Sequence, residues 1–210
     1  MASTRYKELC ARATELRKHL LPRKFSPTGN YTGRQLDRTR GYRMLVHAEI
    51  ESYLEDIVKE TVTDCIRDWK SNRKPSSLLI AFLASYHSSW SVNDDISNQE
   101  IMEIAKSRKR KDSVSEIIDA AQKQFVKIIE NNHGVRENNL KSLVLPTGVD
   151  INELDQTWLA SLDSFGKLRG EIAHKTKRTT TQVNPEDELD RVKSLLQGLR
   201  ELDILILKQK

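Results

Sequence analysis

Cysteine, proline and glycine are all scarce in this chain of 210 residues, with two, five and eight copies. Two cysteines cannot build a disulfide framework, and Cys10 and Cys65 lack metal-ligand spacing. We expect both to be reduced core side chains of a cytosolic protein. The few glycines and prolines, together with few strand-like alternations, predict an all-α fold.

The chain also lacks a long hydrophobic run. No stretch approaches the length of a membrane span, and Met1 to Glu8 contains no apolar core of a signal peptide. We therefore expect a soluble cytoplasmic protein without a membrane-bound part. The length suits one substantial core, and neither a repeat nor a domain boundary is visible. Residues 1–210 are predicted to form a single helical domain, with 71–150 as a helical insertion.

The charge is mildly positive, with 35 Lys and Arg against 30 Asp and Glu. This excess is compatible with a polyanionic partner but does not require one. The most concentrated positive run, Arg108–Lys111, could follow a phosphate backbone, act as a targeting signal or form a solvated loop. The five histidines are scattered without paired ligand spacing, so neither a metal nor another cofactor is expected.

Apolar residues at helical spacing predict most of the elements. A long early helix from Arg34 to Lys70 contains no proline and carries a buried stripe over many turns. Asn184 and Pro185 predict the N-cap and first residue of a final helix, and Asp150 predicts another helix start. The other predicted segments are a first helix 4–21, a short buried helix 78–84, a loop 86–95, a helix opened by a capping box at 97–100, a helix 114–129 closed at 131–134, and one or two turns at 140–144.

The most informative stretch is Asp163–His174. Phe165, Leu168 and Ile172 recur on one helical face, so Arg169, Glu171 and His174 lie off that face or along its margin. Arginine offers a permanently charged planar fork for a phosphate, and histidine can transfer protons near neutrality. The basic polar run that follows, 175–182, supplies three candidate RNA-binding side chains: Lys175, Lys177 and Arg178.

Two features of this stretch leave alternatives open. Residues five apart on a regular helix are rotated by about 140° from each other. Either the helix ends or distorts near His174, or two copies of the chain pool their residues. The spacing itself is a short pattern that chance supplies easily. Within the early helix, Arg40, His47, Glu49 and Glu51 could form an ordinary polar margin or a second set of site residues.

Leu168–His174 resembles the Arg-x4-6-His motif of the HEPN superfamily. The segment Arg40–Asp56 resembles the early helix of the RiboL-PSP-type branch, and the order of elements is also similar. The resemblance implies an HEPN-like helical bundle that dimerises and brings two Arg/His pairs into one composite active site. It implies Arg169 and His174 as catalytic residues and His47, Glu49 and Glu51 as second-tier residues. Gly170 departs from the family pattern, in which a polar residue often follows the arginine.

The function implied by the resemblance is metal-independent RNA cleavage. The RNA's own 2′-hydroxyl would attack, with His174 as acid or base and Arg169 on the scissile phosphate, and the product would carry a 2′,3′-cyclic phosphate. Such members are toxins or antiviral, abortive-infection effectors, so an antitoxin or defence-system partner is expected. The alternatives are a non-catalytic HEPN module that binds RNA or a nucleotide, and a helical protein-interaction adaptor.

Overall fold

A computed structural model describes residues 2–86, 99, 102, 111–174 and 183–209, with 111–113 and 171–174 described by their backbone only. Within these residues all regular structure is helical, which confirms the all-α prediction. The helices are α1 (Thr4–Leu20), α2 (Gly33–Asn72), α3 (Ser77–Tyr86), α4 (Lys111–Glu130), α5 (Glu137–Val144), α6 (Gln156–His174) and α7 (Pro185–Lys208), with 3-10 turns at Leu145–Thr147 and Ile151–Glu153.

Helix α2 is the longest described element, at 40 residues; it begins one residue before and ends two residues after its predicted bounds. A capping box starts it: Thr32 accepts a hydrogen bond from the Gln35 backbone, and the Gln35 side chain accepts one from Thr32 N. The helix ends at Asn72, and the C-cap residue Arg73 has a left-handed backbone (φ 57°) that stops the helix. The Arg73 guanidinium lies over the Trp69 ring, 4.5 Å from its centroid.

The start of α6 differs from the prediction. Asp150 accepts a hydrogen bond from Asn152 N, but the element it opens is only the 3-10 turn Ile151–Glu153. The helix begins six residues later, where the Asp155 side chain accepts from Trp158 N at 2.8 Å. At α7 the prediction is confirmed, because Asn184 caps the helix and Pro185 is its first residue.

Helices α1 and α7 both pack on α2, and polar contacts fix the arrangement. Arg43 of α2 pairs with Glu188 of α7, and both side chains are buried. Further along, Tyr53 donates to the buried carboxylate of Asp203 at 3.0 Å. The α1 contacts are more exposed, as in the ion pair of Arg12 with Glu49.

A continuous hydrophobic core holds side chains from every described helix, including the middle of the chain. Between α6 and α7, the Trp158 indole crosses directly over Gly198. A Cβ on Gly198 would lie 2.3 Å from that ring. Trp158 also donates its indole N–H to Leu195 O at 3.1 Å. The close approach explains why glycine stands inside this helix.

The cysteine prediction is partly wrong. Cys10 and Cys65 are free thiols with intermediate exposure, so neither is fully buried, although Cys65 packs against the core. No helix among the described residues is both long and apolar enough to cross a membrane. The predicted loop at 86–95, the capping box at 97–100 and the basic run Arg108–Lys111 lie almost wholly outside the described residues.

Candidate active site

The candidate site lies where α2 meets α6. The ring of Phe165 stacks on the imidazole of His47, with centroids 5.9 Å apart and planes inclined by 27°. Arg169 follows Phe165 by one helical turn, so both project from the same side of α6. On α2, Arg40, His47 and Glu51 recur at spacings of seven and four, which also places them along one stripe.

His47 is buried, with 1% of its surface exposed. Burial lowers the pKa of His47 to about 4, and the positive charge of Arg169 contributes in the same direction. The imidazole is therefore neutral at pH 7. Its Nδ1 lies 3.5 Å from Glu51 Oε2 and has no hydrogen-bond partner. A histidine that is neutral and enclosed in this way is poorly placed to accept a proton from solvent near pH 7.

Glu51 is held in a mixed environment. Burial raises its pKa and the nearby Glu55 carboxyl adds to this effect, whereas Arg169 and His133 lower it. Its side chain keeps 17% exposure, more than that of His47. Glu51 is thus the point at which charges from α2, α6 and the segment after α4 interact.

Arg169 is partly exposed, but its Nε is buried and lacks a hydrogen-bond partner. Arg40 resembles it: one guanidinium nitrogen donates to Asp37 at 2.6 Å, while Nε is buried and unpartnered. Six buried side-chain polar atoms lack a partner in the described part of the chain, and three belong to Arg40, His47 and Arg169. Each such atom costs about 1–3 kcal/mol, so their concentration here favours a ligand site.

Not every predicted site residue joins this cluster. Glu49 faces α1, where its carboxylate pairs with Arg12 at 3.1 Å. The described part of α6 extends to His174, so the two alternatives, a helix that stops or distorts there and a site shared by two copies, both stay open. The side chains of Glu171 and His174, and residues Lys175, Lys177 and Arg178, lie outside the described set.

The structure adds a segment that sequence reasoning missed, residues 131–136, here called the bridging loop. Its Asn132 donates to Glu55 on α2 at 2.7 Å, and its Arg136 pairs with Asp163 on α6 at 3.0 Å. The sequence interpretation treated this segment only as the end of α4. The available signal was Glu55 itself, which continues the stripe of Glu51 by one turn.

Among the described residues no group of three or more His, Cys, Asp or Glu side chains could hold a metal ion. What these side chains offer is a cationic fork beside a neutral imidazole and a carboxyl, on two packed helices. Such a set suits the binding of an anionic oxygen, for which arginine is the natural donor.

The family model described as RiboL-PSP-HEPN matches residues 8–208 of the chain. The protein therefore belongs to the RiboL-PSP-HEPN family, and the resemblance drawn from the motif and the early helix is confirmed. HEPN domains are all-α, commonly bind RNA and dimerise, and are often ribonucleases. No curated protein and no solved structure gives a significant match.

Proposed function

We propose that this protein is a metal-independent endoribonuclease that cleaves RNA through Arg169 and His174. The observation that carries the proposal is the setting of Arg169. The motif arginine lies beside His47 and Glu51 with an unpartnered buried Nε, in a chain of a family whose domains are often ribonucleases. An arginine that served only to join helices would be expected to have its donors satisfied, as Arg43 has.

The proposed reaction is an attack of the RNA 2′-hydroxyl on the adjacent phosphorus. His174 removes the proton from this hydroxyl or donates one to the leaving 5′-oxygen. Arg169 binds the non-bridging phosphate oxygens, whose charge grows in the transition state. The P–O5′ bond breaks, which leaves a 2′,3′-cyclic phosphate and a 5′-hydroxyl. His47 and Glu51 are positioning residues, since they touch the surroundings of Arg169 rather than the reacting atoms.

The assembly and biological setting belong to the same proposal. We infer a homodimer in which two Arg169/His174 pairs face one groove, because residues five apart on a helix do not point at the same atom. We also propose that residues 1–210 act as one domain with 71–150 as an insertion. A toxin or antiviral effector restrained by an antitoxin or other defence-system partner is the role that fits such an activity.

The test is cleavage of a fluorescently labelled single-stranded RNA in the presence of EDTA. The wild-type protein should cut it, and Arg169→Ala and His174→Ala should each abolish cutting while they retain the wild-type circular dichroism spectrum. The Glu49→Ala variant is the matched control, because Glu49 faces α1 and should leave cleavage unchanged. An RNA with 2′-O-methyl groups should resist. Loss of cutting in EDTA that returns with added Mg²⁺ would contradict the proposal.

A second candidate is an HEPN module that binds RNA without cutting it. Gly170 favours it, because family members often carry a polar side chain at this position. A Cβ on Gly170 would meet nothing within 4 Å, so packing does not impose the glycine. Saturable RNA binding that survives His174→Ala, with no turnover by the wild-type protein, would support this candidate. Cleavage by the wild-type protein would exclude it.

A further inference from the structure

The bridging loop joins the two helices that carry the candidate site. Toward α2, the loop is held by Asn132, which is 9% exposed. Its side-chain amide both donates and accepts hydrogen bonds. It donates to Glu55 Oε1 at 2.7 Å and to Gly134 O at 3.1 Å, and it accepts from Asn139 Nδ2 at 2.9 Å. A buried amide with all these bonds holds the loop in one position against α2.

The second side of the loop is fixed to α6. Arg136 Nε donates to Asp163 Oδ1 at 3.0 Å, and the backbone of Glu137 donates to the same oxygen at 3.3 Å. The Arg136 hydrogen bond lowers the pKa of Asp163. A Cβ on Gly166 would lie 2.8 Å from Arg136 Cγ, so the loop also packs directly on the helix. Gly166 is three residues before Arg169, which puts the loop one turn from the motif arginine.

Between these two attachments the loop presents His133, whose side chain is exposed. His133 and Arg169 act on the same carboxyl: both favour the charged form of Glu51 and lower its pKa. His133 is thus an exposed imidazole on a loop fixed to both α2 and α6, near enough to Glu51 to share this carboxyl with Arg169.

We propose that the bridging loop forms a third side of the RNA site and that His133 hydrogen-bonds a backbone phosphate next to the one held by Arg169. This inference rests on the proposed function. The chemistry suits the ligand, because an imidazole has a ring N–H donor even in its neutral form. Two nearby carboxyls, Glu51 and Glu55, oppose a phosphate. The guanidinium of Arg169 offsets this negative charge, and burial together with Glu55 disfavours the charged form of Glu51.

The proposal is tested by RNA binding with a single-stranded RNA that carries 2′-O-methyl groups throughout and cannot be cut. His133→Ala should raise its Kd about tenfold, the usual scale for one lost hydrogen bond to a charged group. On cleavable RNA, KM should rise by a similar factor with kcat within about twofold. His133→Asn keeps a neutral N–H donor and should restore most of the affinity.

His19→Ala is the matched control, since His19 is also exposed but lies at the end of α1. It should leave Kd and KM unchanged. Equal Kd values for the wild-type protein and His133→Ala would overturn the bridging-loop proposal and leave the nuclease proposal intact. A fall in kcat with unchanged KM would overturn it too. Absence of cleavage by the wild-type protein would refute the nuclease alone, because the Kd comparison still decides the role of His133.

Discussion

Helix α2 carries polar side chains in two settings. Toward α7, Arg43 and Tyr53 are buried with complete partners, the carboxylates of Glu188 and Asp203. Toward α6, His47 is also enclosed, yet its Nδ1 has no partner. Arg40, two turns earlier on the same stripe of α2, likewise keeps a buried Nε without a partner. The same helix therefore joins one neighbour with satisfied charges and faces the other with unsatisfied donors.

The two settings differ in what a buried polar side chain contributes to stability. A buried ion pair is costly to break, since removing one partner leaves the other charge uncompensated. An unpartnered donor already lowers stability, so removing it costs little and can even stabilise the fold. Polar groups that serve the fold and polar groups that serve a ligand can thus be told apart by mutation, even when they lie on one helix.

The largest expected effect is a difference in stability between two arginines that receive the same substitution. Arg43→Met should reduce the free energy of unfolding by about 3–5 kcal/mol, because it leaves Glu188 charged and buried. Arg169→Met should change it by less than about 1 kcal/mol, since a buried Nε without a partner is removed. Urea unfolding followed by circular dichroism gives both values. Equal losses at the two positions would remove the distinction between the two settings.

A double variant sharpens this comparison. Arg43→Met combined with Glu188→Leu replaces the whole pair by apolar side chains of similar size. It should recover most of the stability lost by Arg43→Met alone, because no unpaired charge is left. If the double variant is as unstable as the single one, shape rather than charge controls this contact.

The next effect concerns activity. Arg169→Met should lower kcat/KM for RNA cleavage by about 10²–10³-fold, the usual range for loss of one donor to a developing oxyanion. The stability of this variant should be close to that of the wild-type protein, so the loss cannot come from unfolding. A variant that cuts RNA at the wild-type rate would place the catalytic arginine elsewhere.

His47 gives a pH-dependent contrast. The pKa is lowered from 6.5 to about 4 in the folded protein, by burial first and by Arg169 second. Above pH 6.5 both states are neutral and the group has no effect. As the pH falls from 6.5 to 4, only the unfolded state gains the proton, and the folded state loses up to about 3 kcal/mol. His47→Leu should lack this loss, as measured by urea unfolding at pH 7 and pH 4.5. Parallel pH profiles for the two proteins would contradict the assignment.

The smallest effect is expected at Gly170. A Cβ there meets nothing within 4 Å, so Gly170→Ala should stabilise the protein by about 0.5–1 kcal/mol through helix propensity. Gly198→Ala is the control, because its Cβ would lie 2.3 Å from the Trp158 ring and should destabilise the protein by about 1–3 kcal/mol. Thermal unfolding of both variants checks the pair.

Much of the fold could be predicted because it depends on local patterns. The apolar spacing of α2 and the Asn184–Pro185 cap each act within a few residues, so both were visible in the sequence. The prediction that α6 starts at Asp150 was wrong, because an aspartate can also cap a 3-10 turn. The residue that caps α6, Asp155, was missed. Among the site residues, the stripe of Arg40, His47 and Glu51 follows from spacing alone.

The rest depended on contacts between distant parts of the chain. Glu49 lies only two residues from Glu51, yet it faces α1, because a turn of 200° separates their directions on the helix. Glu55 continues the polar stripe of α2, but the bridging loop that meets it could not be identified from the sequence, since Asn132 meets Glu55 across 77 residues and Arg136 meets Asp163 across 27. Such pairings depend on how whole helices pack, and no local pattern encodes them.

By itself, the sequence determined the helical class, the family and the motif arginine, because periodicity, capping chemistry and a short motif are local properties. Only the tertiary structure decided which polar residues of α2 have partners and which do not. His47 becomes a neutral histidine because Phe165 and its neighbours on a distant helix exclude water from it. Burial depends on how all the helices pack together. It determines whether a side chain is charged and whether its polar atoms can find hydrogen-bond partners.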